Sequence, residues 1–325
     1  MNYSKRPDLF ALLETQRQAR GVSVVFTSAA SSTSSSYTAT ATGGVGQTLE
    51  LFLNGVSQGN MTESPAGTYT KDVTLDELSN DLVIGSDVAS LTVAFELDTV
   101  AYGVEAWLFT EDNASQSVAG LNGNSLLRGG SLSVASNDGS LSGEGWAGAV
   151  DDFLRNQSLG ISTLTKYSIT LLVKLNSLGT RFLASSGNAE NLEMHSKDDG
   201  SVRFIPTTGV YLDTPTSIFN TTDEFFISFC YDPSTSYAKC LINGSEVALT
   251  NAGANPLSSA LSVGTNTFSF WRRESQVAGS FYADGVLSYA LLGNSEVEIS
   301  EMGDHQAWLK AHAKANKPTL YASLP

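Results

Sequence analysis

Phe225-Phe226-Ile227-Ser228-Phe229-Cys230-Tyr231 leads into Asp232-Pro233-Ser234, and Tyr237-Ala238-Lys239-Cys240-Leu241-Ile242 then runs into Asn243-Gly244. Phe225, Ile227, Phe229 and Tyr231 recur at every second residue, the period at which a strand shows one face. Asp-Pro-Ser is turn chemistry, and Asn-Gly accepts the left-handed backbone of a tight hairpin. Strand, turn, strand and turn in immediate succession set an all-β reading.

The same grammar extends in both directions. Ile169, Leu171, Val173 and Leu175 form one face of an earlier strand; Phe268 to Trp271 and Phe281 to Tyr289 read as two later ones. Nearer the N-terminus, Leu49, Leu51 and Leu53 alternate with polar or aromatic neighbours and meet Asn54-Gly55, and Leu91, Val93, Phe95 and Leu97 repeat the pattern. Thr27 to Thr42 holds only Ala, Ser and Thr besides Tyr37. Its β-branched threonines favour extended chain, and disorder is the alternative for so simple a composition. Residues 22–110 therefore read as a small Ig-like β-sandwich and residues 150–303 as a second sandwich. Residues 111–149, rich in Gly, Ser and Asn, read as a linker or as the irregular opening of the second sandwich. Two helical signals flank the sandwiches. Pro7 to Arg20 within residues 1–21 places Leu9, Phe10, Leu12 and Leu13 on an apolar face; Asp304 to Lys317 within residues 304–325 is capped by Asp304 and stopped by Pro318.

Composition bounds the partners. The chain has 325 residues, with 18 Lys+Arg against 33 Asp+Glu, a formal charge of −15. Such a balance opposes binding to nucleic acid and to anionic lipid, both of which call for clustered cations. No apolar run reaches the roughly 20 residues of a membrane helix, so membrane insertion is not expected. The first residues, Met1-Asn2-Tyr3-Ser4-Lys5-Arg6-Pro7-Asp8, lack the apolar core of a signal peptide, which leads to the expectation of cytoplasmic assembly.

The order of elements in residues 150–303 resembles a concanavalin A-like, laminin-G-type domain. The resemblance rests on Tyr167–Leu175, Phe182-Leu183-Ala184-Ser185-Ser186-Gly187, Phe225–Tyr231, and Ala238–Val247 with its Asn243-Gly244 turn. Phe281–Leu291 follows, and Ser295-Glu296-Val297-Glu298-Ile299 closes the series. It covers about half the chain and implies a jelly-roll sandwich that binds carbohydrate, serves as a structural module or, in a minority of members, hydrolyses glucans. No sugar-binding or calcium-binding position transfers residue by residue. The whole arrangement of short helix, small sandwich and lectin-like sandwich is also similar to bacteriophage virion proteins such as fibres, spikes and capsid decorations.

Candidate chemistry is sparse. Glu296, Glu298 and Glu301 invite comparison with a glucanase signature, since alternate residues of a strand share a face and retaining hydrolysis uses two carboxyl groups about 5–5.5 Å apart; a solvated helix start explains the run as well. His195, His305 and His312 show no metal-ligand spacing. Cys230 and Cys240 flank a turn almost symmetrically and read as free buried thiols rather than a disulfide. Asp198-Asp199-Gly200, Asp151-Asp152 and Asp112-Asn113 offer oxygens that suit calcium, or simply make turns. Trp271, Arg272 and Arg273 are the carbohydrate-contact candidates, because an indole beside guanidinium groups suits stacking and hydrogen bonding. No catalytic residue and no metal site are assigned, and calcium is the one cofactor the loops admit.

These readings lead to the expectation of a non-enzymatic virion structural protein displayed on a head or tail. It would attach or oligomerise through Leu9, Phe10, Leu12 and Leu13, and meet host-surface glycans through its lectin-like domain. Its partners would be other virion proteins and further copies of itself; a glucanase-like enzyme is the alternative.

Overall fold

A computed structural model of the chain describes residues 23–85, 89–98, 104–111, 117–128, 139–148, 152–156, 158–159, 161, 164–186, 192–261, 267–271 and 283–325. The helix expected over residues 7–20 lies outside these. The chain divides into two compact units, Met1–Leu97 and Asp98–Pro325; among the described residues the elements of the first are strands, and the second adds C-terminal helices to its strands.

In the first unit Val25–Phe26, Ser36–Thr42, Thr68–Thr74 and Thr62–Glu63 lie side by side in that order. A second sheet has the order Ser31–Ser32, Ala89–Phe95, Ser79–Ile84, Glu50–Leu53, Val56–Asn60. All neighbours are antiparallel except Ser31–Ser32, which runs parallel to Ala94–Phe95. The low-complexity stretch is strand: alternation buries Tyr37, Ala39 and Ala41 and turns the intervening Ser and Thr outward. The expected hairpin stands at Asn54-Gly55, whose φ values of 49° and 79° fit the mirror-image turn that Asn-Gly favours.

The second unit is a two-sheet sandwich. One sheet runs Ser140–Ser142, Gly145–Gly148, Gly285–Gly293, Tyr167–Leu175, Phe225–Asp232, Tyr237–Ile242, Ser245–Val247, with Glu105–Trp107 also pairing onto Gly285–Gly293. The other runs Ser117–Val118, Leu126–Arg128, Leu154–Asn156, Phe268–Phe270, Arg181–Ser186, Glu193–Ser196, Val202–Thr207, Val210–Asp213, Thr250–Asn251. Their inner faces meet in one apolar core. Phe204 stacks on Phe229 across it at 4.1 Å between ring centroids, and Trp107 meets Phe270 edge-on at 5.6 Å. Each such pair adds about 0.5–1.5 kcal/mol beyond the area it buries.

Of the two readings of the stretch 111–149, the strands agree with the opening of the second sandwich and not with a linker. Its described strands Ser117–Val118, Leu126–Arg128, Ser140–Ser142 and Gly145–Gly148 are hydrogen-bonded into both sheets of the larger unit. Its glycines serve close packing, not flexibility. A Cβ at Gly120 would stand 2.3 Å from the Glu105 carboxyl carbon, and one at Gly148 would stand 2.4 Å from the Trp146 ring. Glu105 is fully buried, and its carboxylate accepts the N–H groups of Ala106, Asn122 and Asn124 at 2.9, 2.7 and 2.7 Å. The indole of Trp107 completes the tie by donating to the Asn124 carbonyl at 2.8 Å.

The C-terminal helix, α1, spans Ile299–Asn316 and is followed by α2, Pro318–Tyr321. It begins earlier than the Asp304 cap implied. Glu298 is the N-cap, and its own N–H is bonded by Glu301 at 2.7 Å, so a capping box starts the helix and Gly303 falls inside it. α1 covers the outer face of the first sheet. Gln306 donates to Ser228 Oγ at 2.9 Å and to the Leu241 carbonyl at 3.2 Å, and accepts the Gly244 N–H at 2.9 Å. His305 and His312 are buried. Burial pushes both imidazoles down to about 4, which keeps them neutral, and His312 Nδ1 lies 2.8 Å from the Tyr289 hydroxyl.

Candidate functional site

Since α1 covers one outer face of the larger sandwich, chemistry on the other sheet's outer face is set by strand alternation. Val202 and Phe204 point into the core, and so do Val210 and Leu212, so Arg203, Tyr211 and Asp213 point out. By the same rule Leu192 and Met194 face the core, and Glu193 and His195 face away from it. Cross-strand register then lines the outward residues up. Phe182 pairs with His195, His195 with Arg203, and Arg203 with Asp213. A parallel row joins Arg155 to Ser269 and Ser269 to Ser185.

The geometry within these rows is tight. Phe182 and His195 meet edge to face at 5.2 Å. Arg203 grips Asp213 with two bonds of 2.6 Å, from Nε to Oδ1 and from Nη2 to Oδ2, while its guanidinium carbon sits 5.3 Å from the centre of the Tyr211 ring. Lys197 approaches Asp213 at 3.4 Å and Asp199 at 3.9 Å. Burial pushes the Asp213 carboxyl upward, but the Arg203 fork and the Lys197 ammonium outweigh it and hold the group below its usual range. The Asp213 bond in turn raises the Arg203 guanidinium. Ser185 and Ser269 stand 3.4 Å apart, wholly buried, and Glu193 and His195 are nearly so. Arg155, Arg203, Tyr211 and Asp213 are half-buried at the margin. A half-buried aromatic ring flanked by a fixed guanidinium and carboxylate can stack on an apolar sugar face and bond to its hydroxyls at fixed angles, whereas Ser185 and Ser269, wholly buried, cannot reach a ligand.

Trp271 is not part of a surface. It is fully buried, edge-on to Trp146 at 5.7 Å, with a left-handed backbone at φ 65°. An indole enclosed in the core cannot reach a ligand, and Arg272 and Arg273 lie outside the described residues, as do Leu9, Phe10, Leu12 and Leu13. The glutamate run is no strand either, because Glu298 caps α1 and Glu301 closes its first turn. The shared strand face that the glucanase comparison needs is therefore absent. Cys230 and Cys240 are both free and buried. Cys240 belongs to the core, whereas Cys230 accepts the Val297 N–H at 3.3 Å on the opposite face.

For calcium, Asp199 spends its Oδ1 on the N–H and hydroxyl of Ser201, at 3.0 and 2.6 Å, to make a turn. Those bonds lower its carboxyl. Asp112, Asn113 and Asp151 lie outside the described residues, and among the described residues no three His, Cys, Asp or Glu side chains gather as a metal site. No described helix is long and apolar enough to cross a membrane.

In the sequence the aromatic run at 268–271 is more conspicuous than the outward rows. Their signal was present in the alternation of Val202-Arg203-Phe204 and Val210-Tyr211-Leu212-Asp213 about the Thr208-Gly209 turn.

No family model matches the chain, and no curated protein is similar to it. Among solved structures it is similar to the Trypanosoma rangeli sialidase in complex with 2,3-difluorosialic acid, at 9% identity and a TM-score of 0.47 over 70% of this chain and 42% of that one. It is also similar to a SAP-like pentraxin from Limulus polyphemus, at 16% identity and a TM-score of 0.35 over 46% and 73% of the two chains. A third likeness is the CBM40 of a Ruminococcus gnavus sialidase bound to α2,3-sialyllactose, at 16% and 0.34 over 44% and 83%. The chain spans less than half the length of that Trypanosoma rangeli sialidase. Likenesses this distant assign no ligand and no activity. Sialidases, which are enzymes, stand among these similar structures, and the expectation of a non-enzymatic chain is not upheld. What the fold establishes is an all-β protein of β-sandwich units.

Proposed function

We propose that this chain is a structural protein of a bacteriophage virion, displayed on head or tail, whose larger sandwich recognises glycans of the host surface. The contact surface is the outer face of the nine-stranded sheet, centred on Tyr211, Arg203 and Asp213. The observation that carries the recognition reading is the two-bond Arg203–Asp213 pair set against the Tyr211 ring on the half-buried part of that sheet. A sheet face kept only for solubility has no need of a bidentate ion pair set against an aromatic ring. The wider setting draws on the Ser/Thr/Ala-rich first sandwich, an economical module for display or self-association, and on the charge of −15, which suits a crowded exterior. Homo-oligomers, contacts with other virion proteins and assembly in the host cytoplasm belong to the same proposal.

Two experiments test it separately. Mass spectrometry of purified particles should find the chain in stoichiometric amounts, and its absence from particles would remove the virion setting. A glycan array probed with the whole chain should show a defined set of bound sugars, and a uniformly blank array would remove the recognition role.

A further inference from the structure

Where α1 crosses the outer face of the first sheet it leaves a cavity of about 210 Å³, lined by Phe226 and Asn243 on the sheet side, by Gly303, Ala307 and Lys310 of the helix, and by Pro325. Phe225 and Ile227 point into the core, so strand alternation turns Phe226 outward, toward α1. On the helix, Gly303, Gln306, Ala307 and Lys310 follow at i, i+3, i+4 and i+7, which places them on one face. Gln306 bonds to Ser228 Oγ and the Leu241 carbonyl, and so fixes that face against the sheet. Gly303 and Ala307 beside it are too small to close the gap. A Cβ at Gly303 would meet nothing within 4 Å outside the helix's own backbone. Alanine would therefore fit without a clash and would favour the helix, since glycine inside a helix is the poorer former. The open space is kept at the expense of helix stability.

Two donors border this space. Asn243 Oδ1 accepts the Phe226 N–H at 2.8 Å, which turns its Nδ2 away from that bond. Lys310 Nζ donates to an oxygen of Pro325, so its ammonium already holds an oxygen at the cavity. Gln306 is fully used, with Nε2 on the sheet and Oε1 accepting the Gly244 N–H at 2.9 Å. Among the described lining residues there is no Asp or Glu side chain to oppose an anion.

We propose that this cavity binds a small aromatic carboxylate. Its ring lies against Phe226 in the space left by Gly303, and its carboxylate takes the place of the Pro325 oxygen on Lys310, with Asn243 Nδ2 as the second donor. A cavity of about 150 Å³ admits one benzene ring, so the volume suits a ring with a single small substituent. One cation beside an apolar floor selects an anion over its neutral analogue, because a charge-assisted hydrogen bond is roughly twice as strong as a neutral one. The site lies on the other sheet from the face proposed for glycans, and the two proposals are independent.

Titrating the whole chain with benzoate while following its amide NMR shifts tests this. Wild type should show saturable shifts centred on Gly244, Gly303 and Ala307, with Leu324 moving as Pro325 gives up its place. Benzamide, of the same size and uncharged, should bind more weakly by about tenfold or more. Gly303→Leu, which fills the space with a good helix former, should abolish the shifts, and Lys310→Met should weaken benzoate by about tenfold while leaving benzamide unchanged. No saturable shift in wild type, shifts that map elsewhere, equal affinities for benzoate and benzamide, or undiminished binding by Gly303→Leu would each overturn the proposal. The comparison of the two probes uses the unaltered chain and decides the matter whether or not a variant folds.

Discussion

Lys317, between α1 and α2, is fully buried, and replacing it with Met probes how the C-terminal helices are held. Its ammonium donates to the carbonyls of Phe109, Ser288 and Glu144 at 2.9, 3.1 and 3.3 Å and sits 4.4 Å from the centre of the Tyr289 ring. Three donors meet three acceptors drawn from three separate segments. Methionine keeps most of the volume and leaves those carbonyls without a donor, each at about 1–3 kcal/mol, less the desolvation that the ammonium no longer suffers. A net loss of about 3 kcal/mol follows, within the range for breaking a buried charged contact. Urea unfolding at pH 6, where Lys317 keeps its proton, followed by tryptophan emission, measures it, and a change under about 1 kcal/mol would show that the three carbonyl bonds do not hold the helices. Charge supplies a second reading. Burial lowers Lys317 from 10.5 to about 7, against the pull of Glu144 and Glu111. The unfolded chain then binds more protons than the folded one between those values, so wild-type stability should rise with pH there, by up to about 1.4 kcal/mol per unit. Lys317→Met should lose that slope.

Glu105→Ala removes the acceptor of three backbone N–H groups and should cost about 3 kcal/mol, with amide exchange at Asn122 and Asn124 accelerating first. Gly120→Ala should destabilise the same loop by about 1–3 kcal/mol in thermal melts, because its Cβ meets the Glu105 carboxyl and the Asn124 carbonyl oxygen at 2.3 Å. Mild oxidation should leave Cys230 and Cys240 unlinked by mass, since they face opposite sides of the sheet. Burial pushes the Cys230 thiol up to about 12, so alkylation at pH 8 should be far slower in the native than in the urea-unfolded chain.

The strands were legible where one face is apolar and the turn is Asn-Gly. Asn243 and Gly244, with φ of 47° and 77°, sit where the sequence put them. Even the Ala/Ser/Thr stretch could be read, because Ala39 and Ala41 keep the period-two pattern although alanine carries no strong strand preference. The strands between 111 and 149 could not. They are two to four residues long, too short to display a period, and their glycines signal turns in sequence while serving contact with Glu105 and Trp146 in space. Trp271 misled because its neighbours Arg272 and Arg273 suggest a wet surface, whereas the indole fills the core. The contacts of Lys317 and Glu105 depend on segments far apart in the chain, and no local pattern announces them.

On the proposed function, glycans meet the outer face of the nine-stranded sheet at Tyr211. A glycan array probed in parallel with the wild-type chain, Tyr211→Ala and Tyr237→Phe separates this site from the rest of the molecule, with circular dichroism confirming that all three fold. Wild type should bind a defined set of sugars, Tyr211→Ala should lose that set, and Tyr237→Phe, whose hydroxyl serves the Val297 contact on the other sheet, should keep it. Equal binding by wild type and Tyr211→Ala, or no binding by wild type, would remove Tyr211 as the recognition site.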